Sequence, residues 1–244
     1  MIEGSVPGEL ESVLGEKILG DTFSCVAGKT AWQRGTVVHR HFGPMGKPAT
    51  TDELSEAVTR FALGRDDIDE LTATFVATFE GPFDLDEADF EALLWEQLQA
   101  LHDRDADRFG WAPFADSDPA SDRFAFSIAE QAFFVVGMHA NSSRITRRLS
   151  HPALVFNSHV QFERMRERGI YARIRNEVRV REMALQGSIN PNLSDFGEAS
   201  EAIQYSGRAG TPDWRCPFRP HTDRTDRTDD RTDRTDRTDQ EDAR

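Results

Sequence analysis

The run Ala132–Met138, AFFVVGM, is apolar on both of its faces. A strand with one wet face alternates apolar and polar residues, so a run without that alternation predicts a central strand. The preceding run RFAFSI is separated from it by Ala129-Glu130-Gln131, which predicts a hairpin or a pair of neighbouring strands. Ala153–Phe156, ALVF, is another short buried strand, and Thr36–Phe42, TVVHRHF, ends at Gly43-Pro44 as an extended β-branched run. From Leu71 to Phe79, strict alternation of Leu, Ala and Phe with Thr predicts a half-buried strand.

Helical patterns lie between these runs. Thr50 with Glu53 forms a capping-box pattern opening a helix through Leu63, with Gly64 as its stop and Leu54, Val58 and Phe61 on one face. Asp84 precedes a second helix in which Phe90, Leu94, Leu98 and Leu101 recur at helical spacing. Asn157-Ser158 can cap the first of two basic helices split at Gly169, the second carrying Ile174, Val178 and Leu185 on its apolar side. A short helix near Glu198 to Gln204 follows. The expectation is an α+β fold: one domain with a mainly antiparallel sheet flanked by helices, spanning residues 20–219. It is preceded by an N-terminal extension (1–19) and followed by a Thr-Asp-Arg repeat tail (220–244), which lacks large apolar residues and is expected to be disordered.

The formal net charge of −14 argues against a general nucleic-acid binder or a protein that clings to anionic membranes, because neutralising phosphate needs a surplus of Lys and Arg. No apolar run is long enough to span a bilayer and the N-terminus lacks the pattern of a signal peptide, so the expected location is the cytoplasm. The two cysteines, Cys25 and Cys216, are too few for a disulfide framework. Gly-rich phosphate loops, HExxH and G-x-S-x-G are all missing from the sequence.

The run ALVFNSHVQFERMRERGIYARIRNEVRVREMALQGSINPNLSDFGEASEAIQYSGR, closing in WRCPF, resembles the YqcI/YcgG family. FSCVAGKTAWQRG, FAFSIAEQAFFVVGMHANSSRITRR and HPALVFN fit the same resemblance, which covers roughly residues 20 to 218. Its characterised members are haem-dependent oxygenases that hydroxylate a guanidino nitrogen of arginine. The resemblance therefore implies haem b with its iron, an arginine-like small-molecule substrate and an external electron donor.

A haem enzyme needs an axial ligand, cations for two propionates and an apolar pocket. The thiolate candidates are Cys25, with Lys29 and Arg34 nearby in sequence, and Cys216. The imidazole candidates are His139, at the end of the central strand, then His151 and His159. Arg144, Arg147 and Arg148 form a basic cluster whose planar forks match propionates, a role also open to Arg175 and Arg179. Asp195, Glu198 and Glu201 are spaced so that they can converge on a guanidinium. Each of these residues also has an ordinary structural reading as a packed thiol, a loop histidine, a solvated helix face or helix-start carboxylates. Two other function classes fit the same residues: a non-catalytic haem-binding sensor or carrier, and a cofactor-free protein that binds an anionic metabolite.

Overall fold

The computed structural model describes residues 7–64 and 73–221. Leu71 and Thr72 of the expected strand, and the Thr-Asp-Arg tail beyond His221, lie outside the described residues. The chain order is α1 (Pro7–Leu19), α2 (Val26–Gln33), β1 (Val37–Phe42), α3 (Pro48–Gly64), β2 (Thr74–Phe79), α4 (Glu87–Asp105), β3 (Phe126–Ile128), β4 (Gln131–Met138), β5 (Ala153–Ser158), α5 (His159–Glu167) and α6 (Tyr171–Gln186). Short 3₁₀ turns lie at Ile145–Arg147 and Glu201–Gln204.

The five strands form one sheet in the order β1-β2-β5-β4-β3. β1 and β2 pair in parallel, with α3 in the connection between them that a parallel pair requires, and every other neighbouring pair is antiparallel. The fold is thus a mixed α+β domain with a mainly antiparallel sheet, as the sequence pattern predicts, and β4 is an interior strand. The turn from β3 to β4 places Ala129 and Glu130 at positive φ, where the ladder twist is matched but neither residue is a glycine. Asp105 at the end of α4 anchors that turn by accepting the Ala129 N–H at 2.9 Å.

Side-chain parity divides the sheet. Phe75, Ala77, Phe79, Phe133, Val135, Leu154 and Phe156 join residues of α3 and α4, among them Leu54, Val58, Phe90 and Leu98, in the main core. The opposite parity, with Val37, Val76, Val136, Met138 and Val155, meets Leu14 and Ile18 of α1, Phe23 and Trp32 in a smaller cluster. Residues 7–19, expected as an extension, therefore supply a helix that covers the second face.

Two local expectations are corrected. α3 starts at Pro48, where a missing N–H costs nothing at the first helical position, so Thr50 and Glu53 lie inside the helix. α4 follows Asp84 as expected and is capped by Asp86, whose Oδ1 accepts the N–H groups of Ala88 and Asp89, each at 2.8 Å. β2 is buried at every position and not half-buried, because helices cover both faces and its threonines find partners. Thr78 Oγ1 lies 2.9 Å from His39 Nε2 and 3.0 Å from His41 Nδ1, and Thr74 donates to Asn157 at 3.2 Å.

Candidate functional site

Two adjoining cavities open between the second face of the sheet and helices α1, α2, α5 and α6. The first, about 220 Å³, has Val76, Val136 and Val155 as its floor and Leu14, Ile18 and Phe23 on its far wall. The second, about 200 Å³, runs from Phe134 of the sheet past His159 and Phe162 of α5 to the loop carrying Asp195 and Glu201. Cys25, Val178 and Leu193 belong to the walls of both.

Cys25 owes its place to helix geometry. It is the N-cap of α2, with its Sγ accepting the Gly28 N–H at 3.3 Å. Burial pushes its thiol up, the N–H groups of Gly28 and Ala27 pull it down, and the negative charge of Glu182 pushes it up again.

The first cavity has one polar end, assembled from three distant segments. Arg144 and Glu182 form a buried ion pair there. Glu182 also accepts from Ser24 Oγ at 2.8 Å, Ser24 Oγ lies 3.0 Å from Thr146 Oγ1, and Arg144 donates to the Ser188 carbonyl at 2.8 Å. Arg147 spends its guanidinium on the carbonyls of Tyr205 (2.7 Å) and Gln204 (2.8 Å), and burial lowers its pKa to about 10. Arg148, third in the expected cluster, is exposed and donates to the Ser142 carbonyl at 2.8 Å, away from both cavities.

The second cavity carries a different chemistry. His159 is 1% exposed. Its Nε2 lies 3.0 Å from Glu201 Oε2, while its Nδ1 is buried without a partner. An imidazole whose Nε2–H donates to a carboxylate holds its lone pair on Nδ1, which is then the ring nitrogen able to ligate a metal. Burial pushes the Glu201 carboxyl up while His159 and Tyr205 act against that shift; Glu201 accepts the Tyr205 hydroxyl at 2.5 Å. Beside them Asp195 is held by Arg175 and by Tyr171 Oη at 3.1 Å, and Arg175 Nε is buried with no partner. Glu198 is exposed, and its carboxylate accepts the Asp195 N–H at 3.2 Å. Of the three expected carboxylates, the fold brings Asp195 and Glu201 to one cavity and leaves Glu198 outside.

The other candidates are dispersed. His139 is 3% exposed, stacked on Phe90 of α4 at 4.3 Å between ring centroids, and lines neither cavity. His151 lies edge-on to His41, with Nδ1 3.1 Å from Ser150 Oγ. Cys216 packs against the main core, where burial raises its thiol to about 12. Arg179 is on neither cavity wall. Sequence reading passed over Glu182, although it continues the apolar stripe of Ile174 and Val178 by one helical turn, a place where a carboxylate needs a buried partner. It also passed over Tyr205, one turn beyond Glu201, and Arg166, which lines the second cavity.

His159, on the wall of the second cavity beside Phe134, Phe162, Arg166 and Arg175, has Nε2 held by a carboxylate and Nδ1 buried without a partner. Among the described residues no three or more His, Cys, Asp or Glu side chains converge to hold a bare metal ion, and no helix is long and apolar enough to cross a membrane.

The chain belongs to the YqcI/YcgG family, whose model matches residues 14–219. The match begins inside α1 and takes in all the walls of both cavities. No curated protein and no solved structure matches the chain significantly.

Proposed function

We propose, from that membership and the two cavities, that the protein is a haem-dependent oxygenase hydroxylating a guanidino or amino nitrogen of a small substrate such as L-arginine. The observation that carries the reading is His159, a wall residue of the second cavity with Nε2 held by Glu201 and Nδ1 buried without a partner. His159 is the residue that would hold the haem iron, and Cys25, on the wall shared by the two cavities, is the rival. Haem iron supplies the reductive activation of dioxygen.

The protein's own groups do the rest. Glu201 orients His159 and makes the imidazole a stronger donor. Arg166 and Arg175 at the second cavity, and Arg144 at the first, are the cations that would exchange their present partners Glu163, Asp195 and Glu182 for propionates. Asp195 already binds one guanidinium, that of Arg175, and is the proposed partner for a substrate guanidinium. The apolar floor of Val76, Val136 and Val155 excludes water from the reacting nitrogen. Electrons come from an external donor, in keeping with the missing dinucleotide fingerprint.

Reconstitution with haem, followed by absorption spectra of the ferric and the carbon monoxide-bound ferrous forms, tests this. We expect a Soret band with an imidazole-type carbon monoxide spectrum that is lost in His159→Ala and kept in Cys25→Ala and His139→Ala. A long-wavelength carbon monoxide band lost in Cys25→Ala would transfer the ligand role to the thiolate. Absence of any Soret band from the reconstituted full chain would overturn the reading.

A further inference from the structure

α6 turns one side to the cavities and the other to solvent. Ile174, Arg175, Val178 and Glu182 line the cavities, whereas Arg173, Asn176, Val180 and Met183 form the opposite, exposed stripe at helical spacing. Val180 is 66% exposed and Met183 47%; three residues apart, they lie side by side as an apolar pair in water. The charge around them is reversed relative to the molecule as a whole. Residues 159–186 carry seven arginines and four glutamates, a net charge of +3 in a chain of −14.

Carboxylates are plentiful in this protein, yet they do not neutralise the patch. Arg164, Arg166 and Arg181 pair with glutamates on their own helices, and Arg175 with Asp195. Among the described residues Arg168 and Arg173, both exposed and flanking the turn from α5 to α6, make no ion pair. An exposed apolar centre with arginines at its rim is the anatomy of a protein interface, and the sign of the rim selects an acidic partner.

We infer that this outer face of α6, with the α5–α6 turn, is the docking surface for an acidic one-electron carrier protein. That the partner carries electrons rests on the oxygenase reading, which needs an external donor. The position suits the role. The same helix walls the second cavity on its inner side, so a seated carrier stands one helix diameter, about 10–12 Å, from that cavity. The size suits it too, since two apolar side chains and a few charges favour the small, charge-steered encounters typical of electron carriers. In each encounter one electron leaves the carrier, which is oxidised, and one enters ferric haem, which is reduced; no atom or proton changes hands.

The first test needs no haem. Plant-type ferredoxin, an acidic iron–sulfur protein, is titrated into the full-length chain and followed by calorimetry. We expect one-to-one binding that weakens by about tenfold or more as salt shortens the Debye length from about 30 Å to about 8 Å. The double charge reversal Arg168→Glu with Arg173→Glu should weaken it by a similar factor, and Val180→Ser by less. Arg60→Glu, on α3 across the sheet, changes the same kind of charge away from the patch and should leave binding as it is. All of these positions are exposed, so folding is not at stake. In the haem-loaded protein under carbon monoxide, reduced ferredoxin should produce the ferrous spectrum more slowly in the double variant, while dithionite, which needs no docking, reduces both proteins alike. Binding that is absent, or that survives the double reversal, overturns the docking surface. Tighter binding of a transfer RNA than of ferredoxin, governed by the same arginines, overturns it as well. A missing Soret band alongside ferredoxin binding that the double variant loses overturns only the oxygenase reading. A Soret band without ferredoxin binding overturns only the docking surface.

Discussion

Phe133, Val135, Leu154 and Phe156 are 0% exposed, whereas Phe134, Val136, Val155 and Asn157, interleaved with them on the same two strands, are only half-buried. The backbone ladder is common to both sets, so the difference lies in what each face meets. On one side α3 and α4 press phenylalanine and leucine into every gap. On the other, α1, α2, α5 and α6 span the sheet and leave two cavities beneath them. One strand thus fills the core with its odd positions and walls the cavities with its even ones. A residue's parity on β4 therefore forecasts the kind of damage its loss will do.

The largest expected effect lies on the filled face. Phe133→Ala removes a ring packed against Phe61 and Phe156 and leaves a void its neighbours cannot close, at a cost of about 3–5 kcal/mol. Val136→Ala, three residues on along the same strand, only enlarges an existing cavity, and below about 2 kcal/mol should be lost. Denaturant unfolding of the two variants side by side measures the contrast. Equal costs would mean that the hollow face is as well supported as the filled one.

The second effect comes from overfilling. A Cβ on Gly137 would stand 2.6 Å from Phe90 Cε1 and 2.7 Å from Leu94 Cδ1, both on α4 and both immobilised in the main core. Gly137→Ala should then lose about 1–3 kcal/mol as α4 is forced off the sheet. A change near zero would show that α4 has room to move, against the close packing the filled face displays.

Much of this architecture is legible in the residues. The unbroken apolar run of Ala132–Met138 states that its strand is interior, because no arrangement with a wet face tolerates it. The Thr/Phe alternation of β2 misleads, since it cannot reveal that His39 and His41 on β1 and Asn157 on β5 will satisfy the threonines and permit burial on both faces. For the site, the sequence names His159, Cys25, Asp195 and Glu201 but favours His139 over His159 because His139 ends the best strand. Which side of the sheet a strand-end histidine turns to depends on α4, whose Phe90, 49 residues upstream, captures the ring. Buried partnerships across long separations, such as Ser24 with Glu182 or Glu201 with His159, are tertiary facts that spacing alone does not encode.

Acid probes the filled side's outer edge, where the chain after the core, with Phe218 buried, is strapped along α4. Gln99 exchanges hydrogen bonds with the backbone of Arg219, and His102 Nε2 accepts the His221 N–H at 2.9 Å. Burial, with His221 adding to it, lowers His102 from 6.5 to about 4, so the unfolded chain binds that proton more readily and stability from this group falls as pH drops from 6.5 toward 4. Three residues on, burial raises Asp105 from 3.8 to about 6 against its bond from Ala129, so here the folded chain binds the proton more readily and stability falls as pH rises from 3.8 toward 6. Between pH 4 and 6 the two slopes oppose each other and the intact protein should change little. Asp105→Asn should expose a stability that climbs with pH across that window, and His102→Gln one that declines. Unfolding midpoints at the two ends of the window decide the matter, and parallel behaviour of both variants would refute the assignment.

The smallest effect is the most direct probe of the hollow face. Gly28 lies inside α2, where an alanine gains up to about 1 kcal/mol of helix propensity. Its added Cβ would lie 3.0 Å from Phe23 Cε1 and 3.6 Å from Cys25 Sγ. The first distance is tight enough that Phe23 must move by a few tenths of an ångström, and Phe23 lines the first cavity, so there is empty space to receive it. Gly28→Ala should therefore keep most of the helix gain and raise the unfolding midpoint, whereas Gly137→Ala, meeting rings that cannot yield, lowers it. Should Gly28→Ala instead destabilise the protein, Phe23 is held as firmly as Phe90, and the cavity wall is a rigid template shaped for an occupant and not a slack margin of the fold.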